Sequence, residues 1–370
     1  MKNLRELMDE CLVRITSKFG FSKLEEFINQ DKLSAKFISI LSEGFEFAMP
    51  PESSAVYSIA QSRARHSAIT FLLGMVFEKF GNLMEEIGKT FLTGDTDLQY
   101  ALWMLTSLNH DRAYTSERLN DYDLDYSKVF RNVLLREYYE DSDRLKLSLF
   151  PTMYKQAMTY TYDEILNYDQ YVREFHKKRG DIEKVDHGIL GGHMLFDELI
   201  RRYEKAGSMS DFEWLQARCC SMTIAQHNIF KASKSCDHIY KEYSLDRLLS
   251  DSELRISMDT PLLLLLSLVD TVECVKRFSK SENGDKYLQT LTVLESIQAE
   301  VTKESITLDF SALRNEIKKK GDSSLEEELN KHIKALRSIG SWTELHTEGS
   351  KDKVLIKVAR AKEDGIRVAS

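Results

Sequence analysis

Residues 58–80, SIAQSRARHSAITFLLGMVFEKF, decide the fold class. They contain no proline, and Ile69, Leu73, Val76 and Phe80 recur at helical spacing, so the stretch reads as one long helix with an apolar face. His66 falls on that face and points inward. An imidazole among apolar side chains needs a partner, because unpaired polarity in a core is costly. One such histidine is more often a satisfied core residue than a ligand, so its meaning depends on what other inward faces offer.

Four further segments offer the same chemistry. The helix expected at 98–109 is almost wholly apolar and delivers His110-Asp111 at its C-terminal end. Asp186-His187 opens another helix, in which Gly191-Gly192 allows close packing against a neighbour. The stretch 211–231 reads as a helix carrying Cys220, Ile224 and His227 on related faces, and Pro261 starts a buried helix whose only acidic residue before Glu273 is Asp270. Imidazole and carboxylate are the ligands of divalent transition metals. The order His, His-Asp, His-Gly, His, Asp, each on its own inward face, is difficult to produce by chance.

Outward from these helices the chain divides into three. Only 4 of its 370 residues are proline and alternating strand patterns are scarce, so the expected class is mostly α. Residues 1–55 form an N-terminal helical segment: Leu4, Leu7, Cys11, Ile15 and Phe19 make one stripe that Gly20 stops, a short helix follows near Lys23–Asn29, and Pro50-Pro51 marks a break. Residues 56–283 hold the ligand helices, with an acidic, tyrosine-rich insertion near 120–144. From 284 to 370 the pattern changes to a small α/β appendage. There SITLDF (305–310) reads as a strand, 311–320 and 325–336 as helices, and SWTELHTEGSKDKVLIKVA (341–359) as a β-hairpin.

Composition narrows the function classes. A net charge of -8 argues against broad docking on nucleic acid or anionic lipid. The five cysteines form no CxxC pair and are expected to be small buried apolar residues in a reducing compartment. MKNLRELMDE lacks an apolar leader region, and the run Leu262–Leu266 with its neighbours is too short to span a bilayer, so a cytoplasmic protein without a membrane partner is expected.

The ligand order resembles that of the HD-domain superfamily of metal-dependent phosphohydrolases. The likeness runs from about Ser58 to Phe278, through RARHSAITFLLG, WMLTSLNHDRAY, DHGILGGHMLFDEL, MTIAQHNIF and LLSLVDTVECVKRF. It implies an HD-domain helical bundle in which His66, His110, Asp111 and Asp270 bind one metal. His187 and His227 match the added ligands of the two-metal branch, in which the aspartate of the His-Asp pair, here Asp111, bridges both ions. That branch includes HD-GYP cyclic-dinucleotide phosphodiesterases and CRISPR-type HD nucleases. This chain departs from it in three places: Asn228 follows His227 where a His-His pair is frequent, no Gly-Tyr-Pro follows the central histidine, and Arg112-Ala113-Tyr114 replaces a run with lysine.

The resemblance implies one or two divalent ions (Fe, Mn, Co, Ni, Zn or Mg) and hydrolysis of a phosphoester of a nucleotide or cyclic nucleotide by a metal-held hydroxide. A small phosphorylated substrate suits the acidic chain better than a polymer. Arg63, Arg65, Arg112, Lys276 and Arg277 lie within a turn or two of ligands; Arg112, directly after the pair, is the expected phosphate clamp and is grouped with Asp111 as catalytic. Two other functions share these residues. One is an HD nuclease acting on single-stranded nucleic acid, for which Lys318–Lys320, Lys331 and Lys334 are a modest basic candidate; the other is a non-catalytic HD ligand-binding sensor. His193 falls off the ligand face of its helix, and His176, His238, His332 and His346 follow no pattern. Asp186 suits an N-cap or a group orienting His187, and Glu273 suits a salt bridge to Arg277 at i+4 or, less plainly, a group orienting a ligand.

Overall fold

Leu4, Met8, Cys11 and Leu12 are buried along one face of the first helix, α1 (Leu4–Phe19). The computed structural model describes residues 1–19, 57–90, 96–116, 186–205, 211–228, 256–278 and 288–358. The short helix expected near Lys23, the break at Pro50-Pro51, the acidic 120–144 stretch, Cys236, His176 and His238 lie outside the described residues.

The helix around His66 is α2 (Tyr57–Val76), shorter at its end than the sequence suggested. A 3-10 turn at Phe80–Asn82 follows, where Gly81 takes φ 59°, a left-handed conformation that a side chain would strain. Next come α3 (Leu83–Thr90), α4 (Thr96–Asn109), α5 (His187–Lys205), α6 (Asp211–Gln226) and α7 (Pro261–Val272). Helix α7 is buried on all sides up to Asp270, as expected of PLLLLLSLVD: a helix apolar all round belongs in the middle of a core. Pro261 occupies its first turn, where a missing N–H costs nothing.

Close approaches fix the helix positions. A Cβ on Gly74 of α2 would fall 2.1 Å from the Trp103 ring of α4, and Trp103 Nε1 donates to the Phe71 carbonyl at 2.9 Å. Helices α5 and α6 meet through glycine. A Cβ on Gly192 would stand 2.4 Å from the Ser221 carbonyl oxygen, whereas one on Gly191 would find ordinary contacts of 3.5 Å or more. Of the two glycines singled out in the sequence, Gly192 is the one the packing requires. Asp186 caps α5, its Oδ1 accepting from Ile189 N at 3.0 Å.

The remaining elements are α8 (Val275–Phe278), α9 (Thr290–Glu295), α10 (Ser311–Lys320) and α11 (Ser323–Arg337), with strands β1 (Lys2–Asn3), β2 (Gln298–Val301), β3 (Ser305–Asp309), β4 (Leu345–Glu348) and β5 (Lys353–Val358). The strands form one antiparallel sheet in the order β1-β2-β3-β5-β4. Alternation in β3 and β5 places Ile306 opposite Ile356 and Leu308 opposite Val354, all buried. Leu325, Leu329, Ile333 and Leu336 give α11 its buried stripe.

The described protein is thus mostly helical with a small antiparallel sheet near its C-terminus, as the sequence suggested. The sheet is completed from the other end of the chain: Lys2 pairs with Ala299 and Asn3 with Gln298, and Leu4 N donates to Ile297 O at 2.9 Å. Among the described residues no helix is long and apolar enough to cross a membrane. Cys11, Cys219, Cys220 and Cys274 are free and buried, as expected.

Candidate metal centre

Five helices aim their candidate ligand residues at one place. His66 projects from the middle of α2. His110 and Asp111 follow the last residue of α4, His187 is the first residue of α5, His227 follows the last residue of α6, and Asp270 lies in the final turn of α7. Helix ends supply most of the set because the chain can turn there and present a side chain without distorting a ladder of backbone hydrogen bonds.

These residues make two groups joined by one carboxylate. The donor atoms of His66, His110 and Asp111 lie within 4.8 Å of one another, and so do those of Asp111, His187 and His227. Asp111 belongs to both. Its Oδ1 is 3.1 Å from His187 Nε2 and 3.7 Å from His110 Nε2, and its Oδ2 is 3.5 Å from His66 Nε2. Asp270 joins the first group, with Oδ1 3.0 Å from His66 Nε2 and 3.8 Å from His110 Nε2. The rings touch edge-on around the site: His66 with His110 at 5.0 Å, and His227 with His110 and with His187 at 5.4 Å each. His66, His110, Asp111, His227 and Asp270 are buried; His187 is partly exposed and marks the more open side.

The hydrogen bonds behind the rings decide which nitrogen is offered. His66 Nδ1 meets Glu273 Oε2, His110 Nδ1 meets the Ser107 carbonyl and His227 Nδ1 meets the Ile224 carbonyl, each at 2.6 Å. An acceptor at that distance keeps the proton on Nδ1 and leaves a lone pair on Nε2. His66 Nε2 and His110 Nε2 then face each other at 3.1 Å. That is a separation that nitrogens each about 2.1 Å from one ion can reach. The donor set therefore fits a divalent ion at His66, His110, Asp111 and Asp270, and a second at Asp111, His187 and His227.

Burial pushes the Asp111 carboxyl up, but His110, His187 and His66 around it hold it well below the usual carboxylate range. For His66, burial and the Lys276 ammonium work against protonation, yet Glu273 and Asp270 outweigh them and its pKa is raised, so an ion bound at Nε2 would displace a proton. Burial opposes ionisation of Glu273 too, and the adjacent His66 overcomes it, so that pKa is lowered.

The structure sorts the remaining candidates. Glu273 is the partner of His66, while Arg277 faces Glu328 at 3.7 Å. Arg112 directs its guanidinium to Glu198 of α5. A guanidinium that does meet the centre is that of Arg63: Nη1 donates to Asp111 Oδ2 at 2.9 Å and the group lies over the Tyr114 ring, 3.2 Å from its centroid. Tyr114 in turn packs against the His187 ring at 5.0 Å. Asn228, where a second histidine was noted as frequent, places Nδ2 2.9 Å from His187 Nε2. Lys276 Nζ lies 2.9 Å from Asp270 Oδ1. Arg65 reaches Thr290 at 3.3 Å, and His332 packs edge-on against Phe310 in the C-terminal part. Tyr114 and Asn228 carried no signal of their own in the sequence beyond standing next to ligands.

Comparison of the chain with protein-family models, with curated proteins and with solved structures gave no match.

Proposed function

We propose that the chain is a metal-dependent phosphohydrolase of the HD type, a helical bundle that hydrolyses a phosphoester of a nucleotide or cyclic nucleotide. The observation that carries this reading is the meeting of His66, His110, Asp111, His187, His227 and Asp270 in two ligand groups that share Asp111. The chemistry needs the spatial convergence; the order along the chain carries the resemblance.

Divalent ions, if bound by these groups, would supply Lewis acidity toward a phosphoryl oxygen and a bound water. The rest falls to the protein. Asp111, acidic enough to stay ionised, sets the spacing between the two groups. Glu273 and the carbonyls of Ser107 and Ile224 hold His66, His110 and His227 with Nε2 forward, so no reorientation is needed when substrate arrives. Arg63, stacked on Tyr114 and beside Asp111, brings a fixed positive charge to the margin of the site, where phosphoryl transfer needs charge neutralisation and positioning. The acidic chain favours a compact phosphorylated substrate over a polymer.

The test is purified protein, stripped and reloaded with Mn²⁺, assayed on nucleotides, cyclic nucleotides, phosphomonoesters and single-stranded DNA and RNA. Hydrolysis of a small phosphoester that disappears in Asp111→Asn is expected. Bound metal with no turnover across the whole panel overturns the assignment.

A further inference from the structure

Lys276 stands in the first ligand group although it is no metal ligand. It is the second residue of α8, the short helix after α7. Its Nζ donates to Asp270 Oδ1 at 2.9 Å and lies 3.2 Å from His66 Nε2. These are two of the atoms that converge with His110 Nε2 as ligands. An ammonium and a divalent ion cannot both hold the same lone pairs at such distances, because each needs the same oxygen and nitrogen and their charges repel.

The surroundings keep Lys276 in place. Glu273 Oε1 accepts from Lys276 N at 3.3 Å, so the carboxylate that orients His66 also ties down the backbone carrying the lysine. Asp270, Asp111 and Glu273 all favour its charged form, and together they outweigh burial, so its pKa is raised. The side chain is 23% exposed, against 7% for Asp270, so the stem runs from the margin of the site inward. A four-carbon stem with a compact ammonium can swing between an inner and an outer position without moving the backbone.

We propose that Lys276 is a phosphate-binding residue that exchanges places with the first metal ion: it holds Asp270 and His66 until an ion takes them, and its displaced ammonium then meets a phosphoryl oxygen of the substrate. This rests on the metal-dependent reading given above and extends it to a named contact. It also accounts for a cation at the His66 side of the site, where the run after Asp111 offers Arg112, turned to Glu198, and no lysine. Arg63, on Asp111 Oδ2, adds a second positive charge at the site.

The experiment uses the full chain and two probes, Mn²⁺ and inorganic phosphate. Wild type, Lys276→Met and Lys276→Arg are stripped of metal and titrated with Mn²⁺ by calorimetry; the Mn²⁺-loaded forms are then titrated with phosphate. Circular dichroism and melting temperature establish folding, and Lys276→Gln serves as a second neutral variant if Lys276→Met melts early. Removing the competing charge should tighten the first Mn²⁺ by about tenfold or more and weaken phosphate by about tenfold, while Lys276→Arg keeps phosphate binding near wild type. Opposite movements are the signature, since loosening of the fold would weaken both. Mn²⁺ affinity that is unchanged or weaker in both neutral variants, or unchanged phosphate affinity, overturns the proposal and leaves the metal-dependent reading standing. No Mn²⁺ binding by the wild type removes both.

Discussion

Gly192→Ala tests whether the α5–α6 contact sets the second half of the centre. The added methyl would lie 2.4 Å from the Ser221 carbonyl oxygen, 3.0 Å from Ala225 Cβ and 3.1 Å from Ala225 N. Two of those three atoms are backbone, so relief requires the helices to part. Overpacking of this kind costs about 1–3 kcal/mol, and a carbonyl contact belongs at the upper end. Alanine in a helix returns about 1 kcal/mol relative to glycine, leaving a net loss of about 2 kcal/mol. Gly191→Ala is the internal control, with the same propensity gain and contacts of 3.5–3.6 Å, so it should be neutral to about 1 kcal/mol stabilising. Urea unfolding followed by far-UV circular dichroism should separate the two variants by about 2–3 kcal/mol at unchanged slope. Parting α5 from α6 also moves His187 away from His227, so Mn²⁺ titration of Gly192→Ala should lose the site at Asp111, His187 and His227 and keep the one at His66, His110, Asp111 and Asp270. If the two variants unfold at the same urea concentration with identical Mn²⁺ isotherms, the packing argument is refuted.

Other outcomes follow from single contacts. Glu273→Gln should weaken the first Mn²⁺ by about 10–100-fold, because His66 loses the carboxylate that fixes its Nδ1 proton; an isotherm like wild type would show that the 2.6 Å contact does not matter. Arg112→Ala should leave Mn²⁺ affinity within about twofold and cost about 1 kcal/mol, since its partner is Glu198; abolished metal binding would return Arg112 to the centre. His332, buried and with neighbouring Arg277 and Lys276, has its pKa pushed from 6.5 to about 3, chiefly by burial. It stays neutral when folded but protonates below 6.5 when unfolded, so its contribution is complete above pH 6.5 and is lost as pH falls toward 3. The slope is at most about 1.4 kcal/mol per pH unit and the total at most about 5 kcal/mol. Urea midpoints between pH 7 and pH 4.5 should fall less steeply for His332→Leu than for wild type, and parallel slopes would contradict this.

The sequence was most legible where one physical demand dominates. The all-apolar run of α7 could only be a core helix, and the single stripe of α2 placed His66 inward. The six candidate ligand residues stood out because each carboxylate or imidazole interrupts an apolar surface. Strands β3 and β5 were legible from alternation, and α10 and α11 from their periodic stripes. Direction was harder. Arg63 and Arg112 both stand near ligands in the chain, and only the packing of α5, which brings Glu198 to Arg112, decides which arginine reaches Asp111. Glu273 had a plausible partner at i+4 in Arg277, and the break between α7 and α8 turns it to His66 instead. The two residues of β1 have no pattern to read; their place in the sheet follows from strand β2 at the other end of the chain. Gly188 shows the same limit: a Cβ there would lie 2.9 Å from His227 Nδ1, a close approach between segments that spacing cannot reveal.

The central claim is that Asp111 is shared by two metal ions, and elemental analysis of purified protein tests it most directly. Wild type and Asp111→Asn would be dialysed against the same buffer and their divalent metals counted per chain by plasma mass spectrometry, with circular dichroism confirming that both are folded. The account predicts about two ions per wild-type chain and none retained by Asp111→Asn, because each ligand group loses its shared carboxylate. A folded wild-type chain without metal, or an Asp111→Asn chain with undiminished metal, would contradict it.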